Sequence, residues 1–374
     1  MVGQPPAKLG RRGCGAYGDR GMSPGPGPHP LDPDENAPEE GEVGEDEEGD
    51  FDYSQLDPLD FGLAPRARPL TRGDFEPPPP PSLDADAHKG EAGRLLCLCG
   101  SADMPGAASL VAKSALRMGA GLVTVGYLDV ALRDAVAAQC VEATFLDLTD
   151  LEAPGDLAQI LSGRADHAVV LGPGLGQSPA AVSLVRDYFA CEARPTVLDA
   201  DGLNIISEHL DWLADYGAPL IITPHAGEAR RLLGRPVAND PTERSASARE
   251  LAASVGAICC LKGAWTVISD SANTNVNLTG NPGLATAGSG DVLSGVIGAL
   301  LAASVVRGGA FFPPFEAARC GVFIHGIAGD MASHELGELG VIASDLLDAL
   351  PIATSLVEGR YEQDDQDDGG SAQA

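Results

Sequence analysis

The sequence predicts an α/β protein in three layers, a mostly parallel sheet covered on both faces by helices. Two observations point there. Short continuous apolar runs recur through the middle of the chain, and such runs are strands buried on both faces. Between them lie segments whose apolar residues fall at helical spacing, so strand and helix alternate as in βαβ units.

In chain order, the first strand is the apolar run 95–98, stopped by Gly100. Pro105 and Gly106 open a helix, AASLVAKSALRMG, that Gly119 and Gly121 close. LVTVGY (122–127) is the second strand, followed by a helix near 129–138. HAVVLG (167–172), a helix at 179–190, PTVLDA (195–200), a short helix from Gly202 and APLIITP (218–224) repeat the pattern. Helices at 227–234 and 241–255 lead to strands AICCLKG (257–263) and WTVISD (265–270), with an edge strand around 275–278. Helices at 291–303, about 315–334 and 343–350 finish the domain.

Composition sets the boundaries. Residues 31–60 carry fourteen Asp or Glu and no Lys or Arg, and residues 77–81 are all proline. Such a stretch buries too little apolar surface to offset the entropy of ordering. Residues 1–84 are therefore expected to be an acidic, Pro/Gly-rich disordered extension, 85–355 one domain, and 356–374 an acidic disordered tail. The formal charge of −30 argues against nucleic-acid and anionic-membrane partners, which need basic patches. A phosphorylated ligand would have to be met by backbone donors and a few cations. Lysine occurs only at Lys8, Lys89, Lys113 and Lys262. The eight cysteines form no CxxC pair, and those in apolar runs read as buried free thiols. With no apolar leader and no run long enough to span a bilayer, a reducing cytoplasm is the expected location.

The stretch most suggestive of chemistry is NLTGNPGLATAGSGDVLSG, 277–295. Gly288, Ser289 and Gly290 form a loop whose N–H groups meet the start of a helix, an anion site by free donors and helix dipole. Asp291 there is either the N-cap of that helix or a base for a substrate hydroxyl. GPGLG (172–176) after a strand is either a close-approach loop for a ligand or a plain tight turn. Asp199 and Asp201 in VLDADGLN are candidate ligands for Mg²⁺ or hydroxyls, with helix capping by Asp201 as the other reading. His225 in TPHAGE either bonds a polar substrate group or caps a helix, and Glu228 fits the acidic first turn. Lys262 in LKGAWT meets phosphate as a point charge or is a surface turn lysine. No GxxxxGK[ST] is present, GPGLG lacks the GxGxxG spacing and the first strand ends in GSADMPG, which sets aside P-loop proteins and standard dinucleotide dehydrogenases.

Read together, HKGEAGRLLCLCGSADMPGAASLVAKSALRMGAGLVTV, VLGPGLG, VLDADGLN, LIITPHAGE, LKGAWTVI, NPGLATAGSGDVLSG and GVFIHGIAGDMAS resemble the ADP-dependent NAD(P)H-hydrate dehydratase family. This family is the carbohydrate-kinase-like branch of the ribokinase fold. The resemblance spans about residues 85–352 and implies a ribokinase-like α/β/α domain. It also implies a hydro-lyase that repairs the 6S hydrates NADHX and NADPHX, with ADP as phosphoryl donor and Mg²⁺ on its phosphates. By the same resemblance Ala107, Gly174, His225 and Asp291 contact the hydrated nicotinamide nucleotide, with Asp291 as base. Lys262, Gly263, Ala264, Trp265, Thr266 and Gly290 contact the nucleotide. The metal ligands stay unassigned.

The family also implies a homo-oligomer. Many members carry an N-terminal epimerase domain that the acidic residues upstream of 85 do not resemble, so a separate NAD(P)H-hydrate epimerase is the expected companion. Two other readings stay open: a ribokinase-like small-molecule kinase with a stable phosphorylated product, and a non-catalytic nucleotide-binding scaffold.

Overall fold

The computed structural model describes residues 75–368, except Glu152, Pro154 and Glu192, with side chains as far as Gly359. Most of the expected disordered extension (1–74) and the end of the expected tail (369–374) lie outside the described residues.

Among the described residues nine strands form one sheet, in the order β3-β2-β1-β4-β5-β6-β7-β8-β9. β1 (Arg94–Leu98), β2 (Leu122–Tyr127), β3 (Thr144–Asp147), β4 (Ala168–Leu171), β5 (Thr196–Leu198), β6 (Leu220–Ile222) and β7 (Ile258–Leu261) are parallel. β8 (Val267–Ser269) and β9 (Thr274–Val276) add to the β7 edge antiparallel. The strand period of two divides the core. Leu95, Cys97 and Cys99 face one apolar cluster, while Leu96 and Leu98 face the other. Helices therefore cover both faces, and the three-layer α/β/α arrangement follows.

The helices are α1 (Pro105–Arg117), α2 (Val130–Gln139), α3 (Asp156–Ser162), α4 (Pro179–Cys191), α5 (Asp201–Ile206), α6 (Ala226–Leu233), α7 (Pro241–Val255), α8 (Ser289–Ala303), α9 (Pro314–Leu336) and α10 (Ala343–Asp368). The sequence reading omits β3 and α3. β3 is an edge strand of half-buried and exposed residues, without the continuous apolar run that marks the inner strands. α3 has only seven residues, too few to show a helical period. The seven described cysteines are free, and six of them are buried, as expected of small apolar residues.

Both domain boundaries need correction. The ordered chain begins before residue 85: Phe75 is 2% exposed within the core, and the Arg319 guanidinium donates to the Glu76 carbonyl at 3.0 Å. A single aromatic anchor thus brings the proline run onto the domain despite its composition. At the other end α10 does not stop at 350 but runs to Asp368 through Pro351. Leu346, Leu350, Ala353 and Val357 form a buried stripe at helical spacing that continues past the proline.

α8 is buried at nearly every position. Continued to Gly308, it is long and apolar enough to cross a bilayer, yet 78% of that stretch is buried inside the protein, the mark of a core helix. It comes this close to its neighbours because it is rich in glycine. A β-carbon on Gly295 would fall onto the Val111 carbonyl and the Ser114 hydroxyl of α1. Gly295→Ala is therefore expected to lower stability by about 1–3 kcal/mol of overpacking, more than the ~1 kcal/mol of helix propensity alanine adds. Urea unfolding checks this; an unchanged midpoint would show that α1 and α8 can separate without cost.

Candidate active site

The carboxyl ends of β5, β6 and β7 and the start of α8 surround one cavity of about 700 Å³. This is where an open α/β sheet binds ligands. α8 begins two residues earlier than the sequence suggests. Gly288, at φ +88°, is its N-cap, and Ser289, Gly290 and Asp291 form the first turn. Asp291 is thus the third helical residue and not the cap, so its carboxylate is available to the cavity it lines. Burial, then the nearby Asp199 charge, raise its pKa to about 6 against the pull of Lys262.

Asp199 stands at the end of β5 and is 1% exposed. Its Oδ1 accepts from the Lys262 ammonium at 2.7 Å and its Oδ2 from the Ser294 hydroxyl of α8 at 2.8 Å. Burial alone pulls the Lys262 ammonium down, but the Asp199 and Glu228 carboxylates outweigh it and hold it above its ordinary value. Lys262 is therefore not a surface turn lysine. The turn that follows it, Gly263 to Thr266, lines the cavity, with Trp265 51% exposed at φ +55°. A left-handed tryptophan is costly backbone, of the kind that clusters at ligand sites.

His225 caps α6. Its Nδ1 accepts from the Gly227 backbone N–H at 2.9 Å, while the Glu228 carboxylate accepts from the His225 backbone N–H at 2.8 Å. The capping reading is what the structure shows, and the ring lines the cavity as well. With Nδ1 an acceptor, the neutral ring carries its proton on Nε2, 3.2 Å from Glu228 Oε1. Burial, then the Lys262 charge, lower the His225 pKa. Burial raises the Glu228 carboxyl to about 7.

Every predicted residue from Lys262 to Thr266 and from Gly288 to Asp291 lines this cavity, together with His225. Ala107 and Gly174 are not among its lining residues. They meet each other instead: a β-carbon on Gly174 would fall 2.5 Å from that of Ala107. Asp201 does not cap α5, whose N-cap is Ala200; its Oδ2 accepts from the Gly176 N–H at 2.9 Å, tying the GPGLG turn to the β5 end.

Sequence reasoning missed His325. This α9 residue is 7% exposed, and its Nε2 donates to the Ser289 carbonyl at 3.0 Å, fixing the first turn of α8. Burial lowers its pKa to about 4, so the ring stays neutral. The signal was a lone histidine in an apolar helix, a pattern more often met in plain cores. Also missed was Asp330, which accepts from the Gly280 N–H at 2.9 Å and the Asn281 side chain at 2.7 Å and so ties down the 277–284 wall of the cavity.

No cluster of three or more His, Cys, Asp or Glu among the described residues is placed to hold a metal ion. Mg²⁺ commonly needs only one or two carboxylates beside substrate phosphates; Asp199 already accepts one hydrogen bond at each oxygen, and Asp291 also lines the cavity.

The family model described as NAD(P)H-hydrate dehydratase matches residues 95–352, which contain the whole cavity lining. The chain belongs to the NAD(P)H-hydrate dehydratase family. An ADP-dependent (S)-NAD(P)H-hydrate dehydratase of Neisseria meningitidis is 41% identical over 270 residues, 71% of this chain and 86% of the relative. A bifunctional NAD(P)H-hydrate repair enzyme Nnr of Moorella thermoacetica is 38% identical over 75% of this chain. The chain spans about half the length of that relative and of the other bifunctional repair enzymes it matches (53% and 54% of two of them).

Among solved structures, the ADP/ATP-dependent NAD(P)H-hydrate dehydratase of Bacillus subtilis, co-crystallised with ATP/Mg²⁺, is 30% identical. Its TM-score is 0.62, over 74% of this chain and 94% of that one. A ribokinase-like superfamily protein of Enterococcus faecalis is 25% identical with a TM-score of 0.64, over 74% of this chain and 92% of that one. The dehydratase-family domain thus has the expected ribokinase-like fold.

The raised Glu228 carboxyl has a consequence for this dehydratase-family domain. Between the ordinary value near 4.5 and about 7 the native state keeps a proton that the unfolded chain has released. Stability therefore falls as pH rises through that window and levels off above it. Glu228→Gln is expected to flatten the fall, most clearly between pH 6 and 7. Thermal midpoints of both proteins across pH 4.5–8 check this; parallel curves would show that Glu228 is ionised throughout.

Proposed function

We propose that the chain is an ADP-dependent dehydratase of (6S)-NADHX and (6S)-NADPHX, restoring NADH and NADPH and releasing AMP and phosphate. The observation that carries this reading is Asp291, a carboxylate raised to about 6 in the first turn of α8, lining the same cavity as the Lys262 ammonium. A base, an anion-binding helix start and a cation share one space. The name of the N. meningitidis relative supports the donor and the substrate.

Asp291 takes the proton of the C6 hydroxyl while that oxygen attacks the terminal phosphorus of ADP, and AMP leaves. The first-turn N–H groups of α8 and the Lys262 ammonium hold the charge on the transferring phosphoryl group. The hydroxyl, a poor leaving group, has become a phosphate. The ring nitrogen lone pair expels it, C5 loses a proton, and the C5–C6 double bond returns. Mg²⁺ belongs to the substrate in this reading, entering on the nucleotide phosphates and keeping most of its own waters. Ala107, in the first turn of α1, and Gly174 beside it are assigned to the far part of the hydrated nucleotide.

The same reading places the protein in the cytoplasm, in keeping with its free thiols. It also takes the protein as a homo-oligomer, with epimerisation of the 6R hydrates left to a separate NAD(P)H-hydrate epimerase. Conversion of the R hydrate by the purified chain faster than spontaneous epimerisation would refute that division.

NADHX incubated with ADP and Mg²⁺ is expected to recover the nicotinamide absorbance band, with ATP run in parallel to settle the donor. A stable phosphorylated product without that band would instead identify a kinase. Asp291→Asn is expected to slow turnover by about 10²–10⁴-fold while still binding ADP. Because the base must be ionised, kcat/KM in the native enzyme should fall below a pH of about 6. A pH-independent rate from 5 to 8 would remove Asp291 from the role of base.

A further inference from the structure

We propose that Asp199 is a positioning residue, whose task is to hold the Lys262 ammonium at the start of α8. The inference rests on the reading of the cavity as a nucleotide site.

The backbone of Lys262 is already fixed. Its N–H donates to the Pro224 carbonyl at 2.8 Å and its own carbonyl accepts from Arg244 at 3.3 Å. The four-carbon stem is not fixed by this, and a lysine side chain keeps many rotamers open. The ammonium nevertheless stands beside Gly290, where an added β-carbon would lie 3.3 Å from Nζ. That place is unfavourable for a cation in an empty site, because a helix N-terminus carries a positive partial charge. Asp199 offsets it. Its own backbone N–H donates to the Leu171 carbonyl at 3.1 Å, so the carboxylate is planted on the rigid end of β5.

The second oxygen matters equally. Ser294 holds Oδ2 at 2.8 Å from one turn below Gly290 on α8. The two bonds fix the plane of the carboxylate, and with it the direction in which Lys262 is pulled. Asp199 thus links the β5 end, the lysine turn and the anion-binding helix. When nucleotide phosphate enters, it finds the lysine already placed beside the helix N–H groups, and no rotamer has to be selected at binding.

The test is a double-mutant cycle on ADP binding, measured by calorimetry with Mg²⁺ on the full chain. Lys262→Met is expected to weaken ADP binding by about 10–100-fold, the loss of one charged contact. Asp199→Asn should weaken it several-fold or more, and the double variant no further than Lys262→Met alone. In turnover, Asp199→Asn should raise the KM for ADP while leaving the KM for NADHX near its native value. Ser294→Ala, which frees one oxygen and strands no charge, should give a smaller rise in the same direction.

Three results would overturn the proposal. The first is multiplying effects, with the double variant weaker than Lys262→Met by the full Asp199→Asn factor. The second is ADP binding by Asp199→Asn as tight as in the native protein. The third is tighter binding, which would make Asp199 a charge that repels phosphate. Should Asp199→Asn fail to fold, Lys262→Met against the double variant decides, since the double variant leaves no buried charge unpaired. Loss of NADHX turnover in the native protein would sink the dehydratase reading, while the ADP cycle still tests Asp199.

Discussion

The paired contact of Asp199 with Lys262 and Ser294 is the interaction on which the cavity depends. A carboxylate 1% exposed is expensive unless every oxygen is engaged. Here the engagement comes from two other elements, the turn after β7 and the second turn of α8. Satisfying one buried charge therefore fixes the spacing between the sheet edge and the helix that carries Asp291.

Electrostatics in the cavity follow from the same arrangement. Asp199, Asp291 and Glu228 share a small space with one lysine. Burial raises Asp291 and Glu228, and Lys262 limits both rises. The result is the Asp291 carboxyl held near pH 6 beside an ammonium held above its ordinary value. Locally the field is set by Lys262 and the α8 N-terminus, while the charge of −30 is spread over the whole chain.

α8 joins this chemistry to the fold. Its first turn presents Asp291, its second turn supplies Ser294, and its third and fourth turns are core. Gly295 lets it press against α1, and His325 of α9 holds its Ser289 carbonyl. The site thus joins the start of a buried helix to the turns that follow the strands and to the 277–288 segment.

Much of this was legible in the sequence. Apolar runs separated by helical periods gave the parallel sheet, because a strand buried on both faces has no polar positions to hide its period. Glycine at 288 and 290, Asp291, and the ordered strand-end motifs gave the loop and its family. Other features depend on contacts between distant residues, and no local pattern encodes them. Composition marked the proline run as disordered, yet Phe75 inserts into the core. Proline at 351 looked like a helix stop, yet a buried stripe carries α10 through it. Asp199 read as a candidate for Mg²⁺ or a hydroxyl, while its two partners, 63 and 95 residues away, were out of reach of any local pattern. His325 drew no reading from the sequence, because its partner Ser289 lies 36 residues away. By itself the sequence determined the elements, their order and the chemistry available, since these follow from side-chain type and local spacing. Tertiary structure alone decided which charges are paired, which are buried and which face the cavity, since those depend on residues brought together by the sheet.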